Sequence, residues 1–494
     1  MGKFALLVCL VSCGGSGGGG GGGGDDDQPQ PDGGVVTQPA AACDVPAEGM
    51  LVDTSGSTNV VGTGTAASCT TEALQTAVTA GGLVKFNCGA DPVTITLTKA
   101  ITINNVAGAD HLGDTVIDGG GLVTLSGNKA NRILYLNACE MPFNNAHCDT
   151  FPHPHLTVER LTFVDAADDS TDGGGAIFRT GGALTVIDSV FLRNRCAMTG
   201  QDTAGGALRL IQATPALIVG STFGTETDGN KCSDGGAIGA LNASTVTIIN
   251  STFVGNQATG TGGNPGNGGN SGAIYYDGGN TTLTMCGVTV QKNHGNEYGG
   301  GMFYVDDLGK GTISISNSMI TDNDGKFAGG AYLQGANVTM ANVTIANNTA
   351  NFAPQLYENS MNGRGTLDAT NLTIAGATGD GAHLEGGVTG TFLNATLPNQ
   401  TTGAGGIQMI NTIGSMCDAA PAMAMSVIGT SCGGTAGDPM LGTLGDNGGT
   451  THVFTMAPAA GSPAAGAGAM MCPTTDARGM ARPATGCTAG AHQL

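Results

Sequence analysis

Four carboxylates fall within one short stretch of this chain: Asp165, Asp168, Asp169 and Asp172, with Arg193 and Arg195 about one repeat further on. Carboxylates grouped in this way hold Ca²⁺, and a basic residue facing them takes a proton; eliminative cleavage of an acidic polysaccharide needs both parts. Aspartates on neighbouring turns also serve hydrolysis as acid and base. The simpler reading of the same residues is a solvated acidic loop between strands. No other group asks for a cofactor: Asp322-Asn323-Asp324-Gly325 has part of a calcium-loop spacing but no closing Glu, and His294-Gly295 stands isolated.

A second set of residues suits binding better than bond cleavage. Counted from the corner residues Ala273 and Gly301, Tyr275 matches Phe303 and Tyr276 matches Tyr304, with Tyr332 one turn later. Asp277, Asp306 and Asp307 follow the same segments. Neighbours on a strand alternate faces, so one aromatic of each pair is expected to point outward. Stacked rings flanked by carboxylates would take a neutral glycan; stacking between turns for stability alone would use the same residues.

The charge balance limits the partners. Lys and Arg number 17 against 38 Asp and Glu, a net −21 with no long basic cluster. A nucleic-acid groove needs a concentrated basic face, so that class is excluded. Glycine makes up 87 of 494 residues without a G-X-Y period, and the apolar 40% lies in short Val/Ile/Thr runs between Gly/Asn/Asp clusters. That pattern describes many short strands joined by tight turns.

The elements that must position these residues repeat near every 30 residues from about Leu156 to Ile374. One bulky apolar residue marks each turn: Phe163, Phe191, Phe223, Phe253, Val290, Ile320, Ile345 and Ile374. Seven positions earlier come Leu156, Leu184, Ala216, Val246, Leu283, Ile313, Val338 and Leu367. The odd step to the anchor implies a bend between two short strands. Asn recurs three after the anchor (Asn194, Asn256, Asn293, Asn323, Asn348), and Asp188, Asn250, Asn317, Asn342 and Asn371 stand three before it. Gly-Ala-Ile-type corners open most turns, from Gly175-Ala176-Ile177 to Gly330-Ala331-Tyr332, and the Gly/Asn-rich insert Thr259 to Asn270 reads as a bulging loop. A single unit cannot bury its own apolar face, but stacked units form a continuous core. The expected fold is therefore all-β, a right-handed parallel β-helix. Equivalent Asn residues ~4.8 Å apart would form structural ladders. Thr70 to Val78, with Leu74 and Val78 on one side, is expected to be a helix capping the open end.

The N-terminus carries an address. Met1-Gly2-Lys3, the apolar run Phe4 to Val11 and Leu10-Val11-Ser12-Cys13 resemble a bacterial lipoprotein signal, which implies acylation of Cys13. The run is too short to span a bilayer. Gly17 to Gly24 and Asp25-Asp26-Asp27 follow as a solvated tether. The implied location is the outer membrane or cell surface of a Gram-negative-type bacterium, with the membrane as partner through the lipid. Once Cys9 leaves with the signal and Cys13 is assigned to lipid, twelve cysteines remain. Five close pairs suggest disulfides: Cys69/Cys88, Cys139/Cys148, Cys196/Cys232, Cys417/Cys432 and Cys472/Cys487. No CxxC pair occurs, so no metal site is expected.

Three sequence features resemble bacterial β-helix proteins. Cys69…Leu74…Phe86-Asn87-Cys88-Gly89 with Ile117-Asp118-Gly119-Gly120-Gly121 is similar to the opening of pectate-lyase-like domains, and GGA-I with F-x-x-N to polymorphic outer-membrane protein repeats. The tail resembles the choice-of-anchor Q domain through Gly437-Asp438-Pro439, Leu444 to Gly449, Gly461-Ser462-Pro463-Ala464, Asp476-Ala477-Arg478-Gly479, Arg482-Pro483 and Gly490-Ala491. These resemblances imply an exported, surface-attached β-helix and no single activity. The Asn-Thr-Asp, Asp-Asp and Arg-x-Lys set of the fold's hydrolases is not found. The expected layout is a signal peptide over 1–12, a tether over 13–42, an N-terminal segment with helical cap over 43–83, the β-helix over 84–432 and the Q-like segment over 433–494. The expected function is a non-enzymatic, lipid-anchored adhesin, glycan-binding or envelope protein; the alternative is a polysaccharide lyase or glycoside hydrolase.

Overall fold

In the computed structural model the described residues are 42–494, except 104–113, 141–151, 213–214, 376–381, 387, 398–400, 403–407, 412–415, 418–434, 437 and 469–470. Cys13, Cys148 and Cys432, with the signal and tether, therefore lie outside the described residues. Helix α1 covers Thr71–Ala80. The Thr70 hydroxyl accepts from the Ala73 amide at 3.2 Å, a side-chain N-cap, and Gly81 ends the helix at φ 69°. Leu74 and Val78 are fully buried. Parallel pairing begins upstream of this helix, where Asn59–Val61 lies beside Val84–Phe86.

The remainder is all-β and built of long parallel sheets, as expected of a parallel solenoid. Among the described residues the strands join into a large sheet of 22 strands, a middle sheet of 11 and a short sheet of four. Every pairing in these three is parallel, and the repeat positions coincide with the register. Phe163, Phe191, Phe223, Phe253, Val290, Ile320, Ile345 and Ile374 are successive partners in the large sheet. The row from Leu156 to Leu367 is paired likewise. The four phenylalanines stack with centroids 4.7 Å apart, the spacing that parallel strands impose.

The asparagines beyond the anchors form a closed hydrogen-bond ladder. Asn256 donates through Nδ2 to the Phe223 carbonyl at 2.8 Å and to Asn293 Oδ1 at 3.0 Å, and its own amide N–H also reaches Asn293 Oδ1 at 3.0 Å. Asn194, Asn293, Asn323 and Asn348 repeat this pattern, and Gln355 receives the last donor at 2.7 Å. Asn230 fills the gap that the sequence spacing leaves between Asn194 and Asn256. The chain between Phe223 and Asn230 is longer than in the other turns, so the ladder residue sits seven after the anchor instead of three.

The residues three before the anchors do something different. Asp188, Asn250, Asn317, Asn342 and Asn371 all have φ between 45° and 55°, the left-handed conformation that Asn and Asp tolerate best. Here the chain bends between the two strands of the large sheet, and the terminal segments dock on these corners. Asn250 Oδ1 accepts from the amides of Ala42 and Cys43 at 2.9 and 3.0 Å, and its Nδ2 donates to the Cys43 carbonyl at 2.8 Å. Asn342 donates to Thr475 O at 2.9 Å, and Asn371 to the Thr488 and Gly490 carbonyls at 3.1 Å. The N-terminal strap then runs back over the sheet. Its Gly49 lies so close to Val219 that a Cβ there would approach to 2.8 Å, and Val52 donates to Glu159 at 2.9 Å.

Disulfides join Cys69 to Cys88, Cys196 to Cys232 and Cys472 to Cys487, as the short spacings suggest. Cys139 is also disulfide-bonded, and the Cys417/Cys432 pair lies outside what is described. A fourth link, Cys43 to Cys286, spans 243 residues and fixes the strap to the middle of the large sheet. No local spacing announces it.

Candidate ligand-binding face

The acidic turn is an array of ion pairs. Arg193 holds Asp165 through Nε and Nη2 at 3.0 and 3.1 Å and lies 3.5 Å from Asp228. Arg195 pairs with Asp169, whose carboxyl it holds below the usual range. Asp168 pairs with Arg132 on the preceding turn; that guanidinium also donates to the Gly173 and Gly174 carbonyls at 2.9 and 3.0 Å. Among the described residues Asp172 joins none of these pairs, and its backbone amide donates to Ser170 Oγ at 3.2 Å. The parallel register places the aspartates of one turn beside the arginines of the next, and pairing is the consequence. The hydrogen bonds to Asp165 raise the Arg193 guanidinium further, the opposite of what proton abstraction requires. Among the described residues no three His, Cys, Asp or Glu side chains converge as metal ligands.

His294 is not isolated. Its Nδ1 meets Asp324 Oδ2 at 2.8 Å on the outer side of the short sheet, and Asp324 also accepts from Thr349 at 2.6 Å. Asp324 is thus spent between a histidine and a threonine.

The aromatic residues divide as strand alternation requires. Tyr276 and Tyr304 face the interior, where Tyr276 donates to the Ala243 carbonyl at 2.6 Å and Tyr304 meets Thr281 Oγ1 at 2.7 Å. Tyr275 and Phe303 lie on the outer face and stack at 5.2 Å. Tyr332 pairs with Phe303, because Met302 pairs with Ala331 and not with Tyr332. The Gly330-Ala331-Tyr332 corner is therefore shifted by one residue from its sequence alignment, and in a strand a one-residue shift changes the face.

This outer row is longer than its sequence signature. Tyr332 stacks on Tyr357 at 5.0 Å and Tyr357 on His383 at 5.6 Å. At its other end Tyr135 stacks on Phe178, and Arg209 and Gly239 occupy the two positions between Phe178 and Tyr275. Two residues along each strand runs a second row: Asp277, Val305, Gln334, Asn359 and Glu385. The tyrosine hydroxyls bridge the rows. Tyr332 donates to Gln334 at 3.1 Å and Tyr357 to Glu385 at 2.5 Å. Tyr357 escaped the motif because its turn opens with Gln355-Leu356, without the glycine of earlier corners, and His383 follows Gly381-Ala382, which lies outside the corners aligned in the repeat.

All seven tyrosines of the chain belong to this region: six in the middle sheet and Tyr298 beside it, where its ring lies 5.4 Å from Tyr332. Phe327 and Phe352 flank the row from the same side. Ring faces along the row are occupied by one another, so a ligand meets ring edges, hydroxyls and the polar row. Exposure is uneven. Tyr275, Phe303 and Tyr357 are buried, whereas Tyr332, Tyr298, Phe327, Phe352, Gln334, Asn359 and Glu385 are half-buried. Asp306 is unavailable, because it caps its own turn through the Leu308 and Lys310 amides at 3.0 and 3.1 Å, but Asp307 is exposed. Beyond the polar row an open cleft of about 460 Å³ is lined by Lys310, Asn337, Arg364, Thr366 and the glycines of two turns.

Two ionisable residues lie inside the stack, in the row of Tyr276 and Tyr304. Burial lowers Arg179 to about 10 and raises Glu358 well above the usual carboxyl range. Glu358 has no hydrogen-bond partner among the described residues and is held neutral in the apolar interior, out of reach of any ligand.

Compared with known proteins, the chain matches no family model, no curated protein and no solved structure.

Proposed function

We propose that this chain is a right-handed parallel β-helix displayed outside the cell by a lipid on Cys13, and that it binds a neutral glycan without cleaving it. The gathering of every tyrosine onto or beside one sheet, next to a row of Asp, Gln, Asn and Glu side chains, carries this reading. Aromatic edges and hydroxyls beside amides and carboxylates match a polyhydroxylated ligand, which offers C–H surfaces and both donors and acceptors. The large sheet is less accessible, since the N-terminal strap and the C-terminal segment dock along its corners. The ion-paired state of Asp165, Asp168 and Asp169 supports binding over polysaccharide cleavage.

Residues 433–494 are read as a choice-of-anchor Q segment on the resemblance of their sequence. The tail residues that carry the resemblance are those that dock it. Arg482 donates to the Thr488 and Gly490 carbonyls at 2.9 and 2.7 Å, and Ala491 donates to Thr373 at 2.8 Å. In this role Asp476, Arg478 and Arg482 are structural.

The test is retention of a panel of neutral and acidic glycans by the full-length protein. Neutral glycans should be retained, and a Tyr332→Ala, Gln334→Ala double variant should lose at least about tenfold in affinity. No new reducing or unsaturated ends should appear. Product formation that vanishes in Asp168→Ala and Asp169→Ala would establish the enzyme instead. Metabolic acyl labelling checks the anchor: label that survives in Cys13→Ser would refute it.

A further inference from the structure

The insert that bulges over the binding face is held at its tip by two carboxylates. Asn264 donates to Asp202 Oδ1 and Asp277 Oδ2, both at 3.2 Å. Between the same two oxygens lies the Tyr275 hydroxyl, 2.9 Å from each. A tyrosine hydroxyl has one proton and can donate to only one of them. The other contact is repulsive between a lone pair and a carboxylate unless that carboxyl brings its own proton. Asp277 is buried and Asp202 half-buried, so the second proton belongs on Asp277, giving the chain Asp277 to Tyr275 to Asp202.

We propose that this proton-sharing pair is a latch: protonated, it closes the Thr259 to Asn270 insert over the Tyr275 end of the binding face, and ionised, it releases it. On release two carboxylates joined through one hydroxyl repel each other, and Asn264 loses the arrangement it bridges. The base of the insert is tied by Gly260 N to Ser233 O at 3.1 Å, Asn270 N to Asp234 Oδ1 at 2.8 Å and Asn296 Nδ2 to the Thr259 and Gly260 carbonyls at 3.1 and 3.0 Å, so the latch governs the tip of the insert. It is rich in glycine and held mainly by polar contacts, among them Gly262 N to Glu297 at 2.9 Å and Gly269 N to Ser233 O at 2.9 Å. The charged groups around the pair are Arg209, Asp234 and Asp307. Burial, with Asp307 and Asp202 adding to it, raises the Asp277 carboxyl to about 6. Burial raises Asp234 to about 7, and its Oδ2, which has no hydrogen-bond partner among the described residues, faces the underside of the insert at Gly268.

The latch rests on reading Tyr275 and Asp277 as one end of the binding face, but its test needs no ligand. Hydrogen exchange of the full chain would be followed at the insert amides of Gly263, Asn267 and Gly268, corrected for intrinsic rates. Protection should fall roughly tenfold per pH unit between about pH 4 and 6. Asp277→Asn should stay protected across that range and Asp234→Asn should keep the fall. Tyr275→Phe, which preserves the stack on Phe303, should be unprotected already at pH 4. A flat wild-type profile, or the same profile in wild type and Asp277→Asn, would overturn the latch. Failure of the glycan panel would leave this measurement unaffected.

Discussion

Cys43 and Cys286 are covalently joined with their Cα atoms 5.9 Å apart, although 243 residues separate them in the chain. The link turns the N-terminal strap from a loose leader into an external brace on the large sheet, next to the Asn250 corner that holds the same segment by hydrogen bonds. Strap and sheet support each other, because the corner fixes the backbone that carries the cysteine.

Cutting this link should cost stability. Cys286→Ser should lower unfolding free energy by about 2–4 kcal/mol, the range for closing a long loop. Denaturant titration measures it, and peptide mapping under non-reducing conditions should recover the Cys43–Cys286 pair. An unchanged midpoint would mean that the strap's hydrogen bonds suffice.

The Asn ladder should be expensive to break in its middle. Asn256→Ala removes four side-chain hydrogen bonds to neighbouring turns, two donated by Nδ2 and two accepted by Oδ1, and leaves buried acceptors and donors unmatched on both sides, a cost of about 2–4 kcal/mol. Exposed Asn337→Ala should cost under about 0.5 kcal/mol. Equal effects in thermal unfolding would contradict the ladder's role.

Asp476 concentrates the polar bonding of the tail. Its carboxylate receives the Arg478 guanidinium through Nε and Nη2 and the amides of Arg478, Met480 and Gln493, all within 3.0 Å. Asp476→Ala leaves a buried guanidinium without its counter-ion, at about 3–5 kcal/mol. Loss of exchange protection should be confined to residues 438–494, with the parallel sheets unaffected.

Acid should loosen the same segment through His492. Burial lowers this imidazole to about 4, with Arg478 adding to the effect; its Nδ1 lies 2.9 Å from Thr455 Oγ1. The unfolded segment binds the proton first, so stability is complete above about pH 6.5 and falls as pH drops toward 4. Exchange in the tail should rise over that window, and His492→Asn should flatten it. The insert responds in the opposite direction over nearly the same range, because Asp277 is raised where His492 is lowered.

Much of this arrangement is legible in the chain because the repeat is local. Phe163, Phe191, Phe223 and Phe253 recur at the length of one turn, and any stacking of turns must place them together. The Asn residues on either side of the anchors look alike in sequence yet differ in role: Asn256 is a ladder rung and Asn250 a left-handed corner gripping a terminus. Only backbone dihedrals separate them.

The acidic turn shows the opposite limit. Asp168 and Asp169 look catalytic because sequence gives their type and spacing but not their partners. Arg132 lies 36 residues before Asp168, and Arg195 comes 26 after Asp169. Parallel register brings one arginine to each and settles the charge.

By itself the sequence determined the period, the apolar anchors, the helix at Thr71–Ala80 and the short-range disulfides, because each follows from neighbours within one turn. Tertiary structure decided the face on which Tyr332 lies, the extension of the aromatic row to Tyr357 and His383, the Cys43–Cys286 brace and the Asp202–Tyr275–Asp277 contact. Those depend on which residues of distant turns become adjacent, and a one-residue change of register, invisible in composition and spacing, reverses inside and outside.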